Sequence, residues 1–168
     1  MDDTVKVLIA TFSGFIVAFL AEPVKIYFQN KSRKENIQSA IYGEMFHNYV
    51  ILKSFIADTN TGDDIEKFMK FFKYSVRTEC YKFALSQETA LFYQLTESTP
   101  INGMYAFLLG VLDFSAEEKN KKQFDPEQLA SQYLEAFSSA VEIGIIKKKI
   151  LRKAIGKKTF QIFFESQK

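Results

Sequence analysis

Apolar residues follow different patterns along the chain, and each pattern predicts a different kind of helix. The first pattern is a run from Val7 to Ala21 (VLIATFSGFIVAFLA) that contains no charged side chain. At about 1.5 Å per residue this run covers roughly 22 Å. Val5 on one side and the segment 24–28 on the other extend it toward the roughly 30 Å of a bilayer core. The absence of a polar stripe favours a membrane-spanning helix over a buried helix of a soluble domain.

A second pattern predicts a long helix from about Arg33 to Ala57. Apolar residues recur there at four-three spacing along two adjacent lines. One line contains Ile37, Ile41, Ile51 and Phe55 with two polar members, and the other contains Met45, Tyr49, Leu52 and Ile56. A helix that is apolar on two sides is central in a bundle or buried between subunits.

The remaining chain carries the start and stop signals of shorter helices and no convincing strand pattern. The turn 58–64 (DTNTGDD) precedes a helix with Ile65, Phe68, Met69 and Phe72 on its core face, followed by a less regular segment to Leu85. Ser86 is a candidate cap for a short helix through Leu95. We therefore expect an all-α domain.

Two cap-plus-proline signatures predict the last long helices. Thr99-Pro100 opens a helix to about Lys119, and Asp125-Pro126 opens one that continues to Ala154, with a polar loop between them. The aromatic segment 160–164 is too apolar to stay free, so we expect it to dock on the domain or on a neighbouring subunit.

The charges around the apolar run predict how the chain is placed in a membrane. Lys25, Lys31, Arg33 and Lys34 follow the run, and only Lys6 precedes it. Positive residues stay on the cytoplasmic side. We therefore predict a transmembrane anchor in residues 1–30, with the N-terminus outside the bacterial inner membrane, and a cytoplasmic helical domain with a basic C-terminal helix in residues 31–168.

One face of the predicted anchor consists of small residues. Ala10, Gly14 and Ala18 recur every four residues, with Ser13 beside them. Such spacing lets helix backbones approach closely in lipid. Because a single span has no other span of its own chain to pack against, we expect the anchor to form a homo-oligomer in the bilayer. Glu22 would then form a carboxylate ring, which favours cations in a pore, or would simply pair with Lys25 at the interface.

Composition limits the chemistry that this chain can perform. It contains 18 Phe and 8 Tyr but a single cysteine, Cys80, and a single histidine, His47. A lone cysteine cannot form an internal disulfide. Glycine-rich phosphate loops, zinc-ligand spacings and nucleophile motifs are absent from the sequence. We therefore expect no metal, no cofactor and no enzymatic activity of the common classes.

Glu44, His47 and Asn48 lie on one face of the second predicted helix and form the first candidate site. A carboxylate that orients an imidazole suits acid–base chemistry or half of a metal site. With no second histidine in the chain, a polar cluster satisfied inside the bundle or at a subunit contact is the favoured interpretation.

A basic surface near the C-terminus is the second candidate. Residues 141–168 carry a net charge of +6, whereas residues 78–140 carry −5. The cations alternate with isoleucine and leucine as in a basic amphipathic helix, which could bind RNA, anionic lipid or an acidic surface of a partner. They are Lys147, Lys148, Lys149, Arg152, Lys153, Lys157 and Lys158.

The chain resembles the small membrane accessory protein that accompanies the RNA-targeting effector of type VI-B CRISPR systems. The resemblance covers the whole chain in layout: the start MDDTVKVLIA, the span ending in LAEPVKIYF, and a helical body rich in Phe and Lys. It implies a homo-oligomer that surrounds a pore and strengthens antiviral defence by depolarising the membrane, with an RNA-guided effector or RNA as possible partners.

That family is also described with a diverged HEPN-type RNase motif, an arginine followed by histidine after four to six residues. His47 has no arginine at that distance before it, and Arg152 is followed by Lys157 where the histidine would stand. Lysine is a poor general base at neutral pH. The sequence thus favours a membrane pore or membrane-perturbing effector, with a membrane-tethered adaptor for a nucleoprotein, or a diverged RNase, as alternatives.

Overall fold

A computed structural model shows a chain of α-helices. It describes residues 3–57, 65–112 and 125–165, and side chains within residues 22–57, 67–112, 125 and 127–165. No strand occurs in these ranges. The elements are α1 (Asp3–Ala57), α2 (Ile65–Ser75), α3 (Glu79–Gln87), α4 (Thr89–Tyr93), α5 (Ser98–Leu112), α6 (Pro126–Glu142), α7 (Lys148–Ile155), α8 (Lys157–Phe160) and a final π-helical turn (Gln161–Glu165). The predicted all-α class is confirmed.

The chain divides into two compact units, Met1–Asn36 and Ile37–Lys168. The predicted boundary stood at residue 31. In the first unit, α1 passes through Pro23 without ending, and its side chains from Glu22 to Arg33 are exposed.

The predicted span Val7–Ala21 lies in α1, but its side chains are outside the described residues, as are those of Ala10, Ser13, Gly14 and Ala18. Among the helices and side chains that are described, none has the length and apolar character needed to cross a bilayer.

In the second unit, the C-terminal part of α1 is the central helix. Most members of both predicted apolar lines are buried in it: Ile41, Met45 and Leu52 are fully enclosed, and Phe55 is 5% exposed. Ile37, Ile51 and Ile56 are partly buried. The ring of Phe55 packs against Phe68 of α2 at a centroid distance of 4.8 Å. The two-sided pattern therefore arises because helices pack on more than one side of α1.

The helix boundaries in the middle of the chain differ from the predicted ones at two points. Ser86 does not cap a helix, since it lies inside α3, and Glu88 is the residue before α4. The helix predicted from Thr99 begins one residue earlier, at Ser98. Its predicted end at Lys119 lies outside the described residues, as do the turn 58–64 and the loop 119–123.

The helix that begins at Asp125-Pro126 is confirmed at its start and was wrong at its end. The Asp125 carboxylate accepts hydrogen bonds from the backbone N–H groups of Glu127 and Gln128, each at 3.0 Å. The helix does not continue to Ala154, because it ends at Glu142 and Gly144 adopts φ +81°. This left-handed conformation costs a glycine little, which is why glycine commonly ends helices.

The aromatic tail docks on the same chain. Phe160 is buried, and the ring of Phe163 packs edge-on against Phe46 of α1 at 5.1 Å. Phe164 contacts Phe46 and Phe137. Ile162 remains 64% exposed and is the exception within the tail.

Replacing Phe46 by alanine should lower the free energy of unfolding by about 3 kcal/mol, since a buried ring is removed that the tail packs against. Urea unfolding followed by circular dichroism measures this. The control is Ile162→Ala, whose side chain is exposed and which should change stability by less than about 0.5 kcal/mol. Equal losses in both variants would show that the tail is not held through Phe46.

Candidate functional site

The predicted cluster on α1 faces the junction between α2 and α3. The Glu44 carboxylate accepts the backbone N–H groups of Cys80 at 2.7 Å and Tyr81 at 3.1 Å, in the first turn of α3. The Tyr105 hydroxyl donates to the same carboxylate at 2.7 Å. Thr78, at the start of α3, provides no side-chain cap. Glu44 therefore caps α3 from another helix, where a negative charge also suits the helix dipole.

Asn48 and His47 bind the backbone of the same junction. The Asn48 amide donates to the Arg77 carbonyl oxygen and accepts the Arg77 N–H, both at 2.8 Å. His47 Nε2 lies 3.1 Å from the carbonyl oxygen of Ser75, at the end of α2. All three side chains thus contact backbone groups of their own chain. This is the geometry of a polar cluster satisfied inside the bundle, the interpretation that the sequence favours.

The Tyr105 hydroxyl and the Cys80 thiol, which lie near Glu44, do not readily lose a proton. Burial, with the nearby Glu44 carboxylate, raises the pKa of Tyr105 well above its ordinary value. Burial also raises the pKa of the Cys80 thiol, and Glu44 adds to the effect. Tyr105 therefore remains a hydrogen-bond donor at neutral pH, and Cys80 remains a thiol with low nucleophilicity.

A second buried carboxylate, Glu97, lies just before α5 and was not singled out from the sequence. It is 2% exposed. The hydroxyl of Tyr42 donates to it at 2.6 Å and that of Thr96 at 2.8 Å, and the Gln38 amide donates as well. Lys147 Nζ, at the start of α7, lies 3.6 Å from it. Only the spacing of Gln38 and Tyr42 on α1 hinted at a polar partner.

The donors around Glu97 decide its charge. Burial alone raises the pKa of this carboxyl group, but the hydrogen bonds from Tyr42, Thr96 and Gln38 outweigh burial and leave the pKa below its usual value. Burial and the same contact raise the pKa of Tyr42. The ionised carboxylate and the protonated tyrosine therefore stabilise each other.

The predicted basic residues of the C-terminal segment are exposed. Six of them belong to α7 and α8, which are separated by Gly156 at φ +85°. The apolar side of α7 faces the domain, with Leu151 fully buried. The six exposed cations are Lys148, Lys149, Arg152, Lys153, Lys157 and Lys158.

The described part of the chain contains neither a candidate metal site nor a buried polar side-chain atom without a partner. No group of three His, Cys, Asp or Glu residues there could hold a metal ion. No buried side-chain nitrogen or oxygen atom there lacks a hydrogen-bond partner. No protein-family model, curated protein or solved structure matches the chain.

Glu44→Gln should lower the free energy of unfolding by about 2 kcal/mol, because an amide offers one acceptor oxygen where the carboxylate serves three donors. Urea unfolding at pH 7 measures the loss. Glu135→Gln on α6 is the control, since Glu135 is exposed and its replacement should have little effect. A catalytic rather than structural Glu44 would instead leave stability unchanged.

The stability contributed by Glu97 should depend on pH. Because folding lowers its pKa, the folded protein holds its proton less tightly than the unfolded chain. The contribution is therefore present above the unfolded pKa and is lost as the pH falls through the folded pKa. Urea unfolding between about pH 3 and 7 should show that the wild type loses its advantage over Glu97→Gln toward acid.

Two further variants test whether the pH dependence of stability comes from Glu97. Tyr42→Phe removes a donor and so raises the folded pKa of Glu97 toward its unfolded value, and the loss of stability in acid should be smaller and complete at a higher pH. The exposed residue Glu142 offers a control, and Glu142→Gln should retain the wild-type profile. If the difference in free energy of unfolding between wild type and Glu97→Gln stayed constant across this pH range, the lowered pKa of Glu97 would be contradicted.

Proposed function

We propose that this chain is a membrane-anchored, non-enzymatic protein that assembles with copies of itself and opens or perturbs the membrane. The N-terminal part of α1 would be the span, and Ile37–Lys168 would be its cytoplasmic domain. By the resemblance to the type VI-B accessory protein, the assembly would depolarise the membrane during RNA-targeted antiviral defence.

The observation that carries the proposal is the exposed apolar segment that follows the uncharged run. Val24, Ile26, Tyr27 and Phe28 are each at least half exposed in α1. Exposed apolar side chains in such numbers mark a surface that lipid or a partner covers. Tyr27 suits the interface between lipid and water, and Lys25 and Lys31 beside it are exposed and can reach headgroups.

The polar residues of the domain support a role without catalysis. Glu44, His47 and Asn48 bind the backbone between α2 and α3, and Glu97 is surrounded by donors. His47, the single histidine, contacts the carbonyl oxygen of Ser75 at the end of α2. Arg152 lies elsewhere, exposed on α7. A diverged RNase would need a general base next to Arg152, and Lys157 suits that task poorly.

The second candidate function is an adaptor that holds a nucleoprotein at the membrane. The exposure of the six cations on α7 and α8 favours it, because phosphate groups could reach them without any rearrangement. An adaptor does not need a closed ring of subunits. The oligomeric state therefore distinguishes the two functions.

The test combines two measurements on full-length protein. Light scattering, corrected for bound detergent, gives the mass, and dye release from liposomes gives the permeability. The wild type should form a discrete oligomer that releases dye. Gly14→Leu should weaken assembly by about tenfold, since it separates helices that the small face brings together. It should reduce dye release accordingly.

Phe15→Leu is the matched control, because Phe15 falls largely on the other side of the predicted span. It should retain both mass and dye release. A wild-type monomer or dimer would exclude a channel enclosed by single spans and would favour the adaptor. Unchanged mass and leakage in Gly14→Leu would refute packing through the small face.

A further inference from the structure

An apolar groove of about 420 Å³ runs between α5 and α6. Gly103 and Phe107 line it on the α5 side, and Ala136 and Ala140 line it on the α6 side. Ile143 and Ile145, in the turn after α6, also line it, and Ile143 is 72% exposed. A Cβ atom added to Gly103 would meet nothing within 4 Å, so the groove is open at this point.

Glu97, just before α5, and Lys147, in the segment after α6, form an ion pair close in the chain to residues that line the groove. Pro100, which lines the groove, lies shortly after Glu97, and Ile145 lies shortly before Lys147. Lys147 Nζ is 3.6 Å from the Glu97 carboxylate. The Glu97–Lys147 pair is therefore within three residues, along the chain, of a lining residue on each wall, although neither member of the pair lines the groove itself. Lys148 and Lys149 follow it and are exposed.

Lys147 can accept a second anion. Its side chain is 45% exposed, whereas that of Glu97 is 1% exposed. The Glu97 carboxylate already receives hydrogen bonds from Gln38, Tyr42 and Thr96. It therefore has three hydrogen-bond donors besides the ammonium group of Lys147. The exposed part of the Lys147 side chain remains accessible to solvent and therefore to the anionic group of a ligand.

We propose that the groove binds one free fatty acid, with the chain between α5 and α6 and the carboxylate at Lys147. An apolar cavity of about 150 Å³ accommodates the six carbon atoms of benzene, so 420 Å³ has room for roughly 17 carbon atoms, one long chain rather than two. The apolar walls and the cation at the end complement an amphiphile with a single anionic head. This site does not depend on the membrane function proposed above.

The test is equilibrium binding of radiolabelled hexadecanoate to the full-length protein in amphipol. Gly103→Leu fills the groove. Because each buried methylene contributes a factor of about four to affinity, displacing two should weaken binding by about fifteenfold. Gly110→Leu is the matched control, since Gly110 is also exposed on α5 with no atom near its Cβ position, and it is not among the groove-lining residues. It should retain wild-type affinity.

The position of the carboxylate is tested with Lys147→Gln. This variant should weaken hexadecanoate binding by about threefold, the effect of a partly exposed ion pair. It should leave binding of the uncharged hexadecan-1-ol unchanged. Lys149→Gln is the control for general loss of positive charge. Thermal unfolding confirms that each variant is folded.

Three results would overturn the proposal. Equal hexadecanoate binding in wild type, Gly103→Leu and Gly110→Leu would place binding elsewhere, including in the amphipol. A change of oligomer mass in Gly103→Leu without hexadecanoate binding by the wild type would assign the groove to a second copy. Stoichiometric phospholipid in the purified wild type, lost in Gly103→Leu and not displaced by hexadecanoate, would assign it to a two-chain lipid. None of these results bears on the membrane span, so this proposal can fail by itself.

Discussion

The fold of the second unit depends on the hydrogen bonds of one buried carboxylate. Glu44 would be costly inside an apolar bundle unless donors surround it. Two backbone N–H groups at the start of α3 and the hydroxyl of Tyr105 on α5 provide them. The same N–H groups have no partner within their own helix. One side chain of α1 therefore satisfies its own charge and the end of α3, and fixes the positions of two other helices.

Buried tyrosine hydroxyls also join helices of the bundle, because each donates to an acceptor outside its own helix. Tyr42 joins α1 to Glu97, Tyr105 joins α5 to Glu44, and Tyr133 of α6 donates to the Met45 carbonyl oxygen at 3.1 Å. The rings fill the core while the hydroxyls reach buried acceptors. The rings of Tyr81 and Tyr105 also stack, with centroids 4.2 Å apart. The high aromatic content thus gives the bundle both its apolar volume and its directional contacts.

Local signals in the sequence predicted some elements well because those elements are determined locally. The two apolar lines of α1 and the capping carboxylate of Asp125 depend on residues a few positions apart. The break after Glu142 was missed because the apolar pattern runs on, although Gly144 marked it. The partners of Glu44 and the role of Glu97 could not be read from the sequence, since they join positions far apart in the chain. Docking of the aromatic tail was predicted, but its partner Phe46 was not.

The packing of α7 limits how the basic surface can act. An interfacial helix binds lipid by burying its apolar face between headgroups. That face of α7 is already buried in the domain through Leu151, while Lys148, Lys149 and Arg152 point to solvent. The cations alone would therefore contact an anionic partner, and their attraction decreases with salt. In the functions proposed above, apolar contact with lipid would therefore come from other parts of the chain: the segment 24–28 for the bilayer and the groove between α5 and α6 for a single chain.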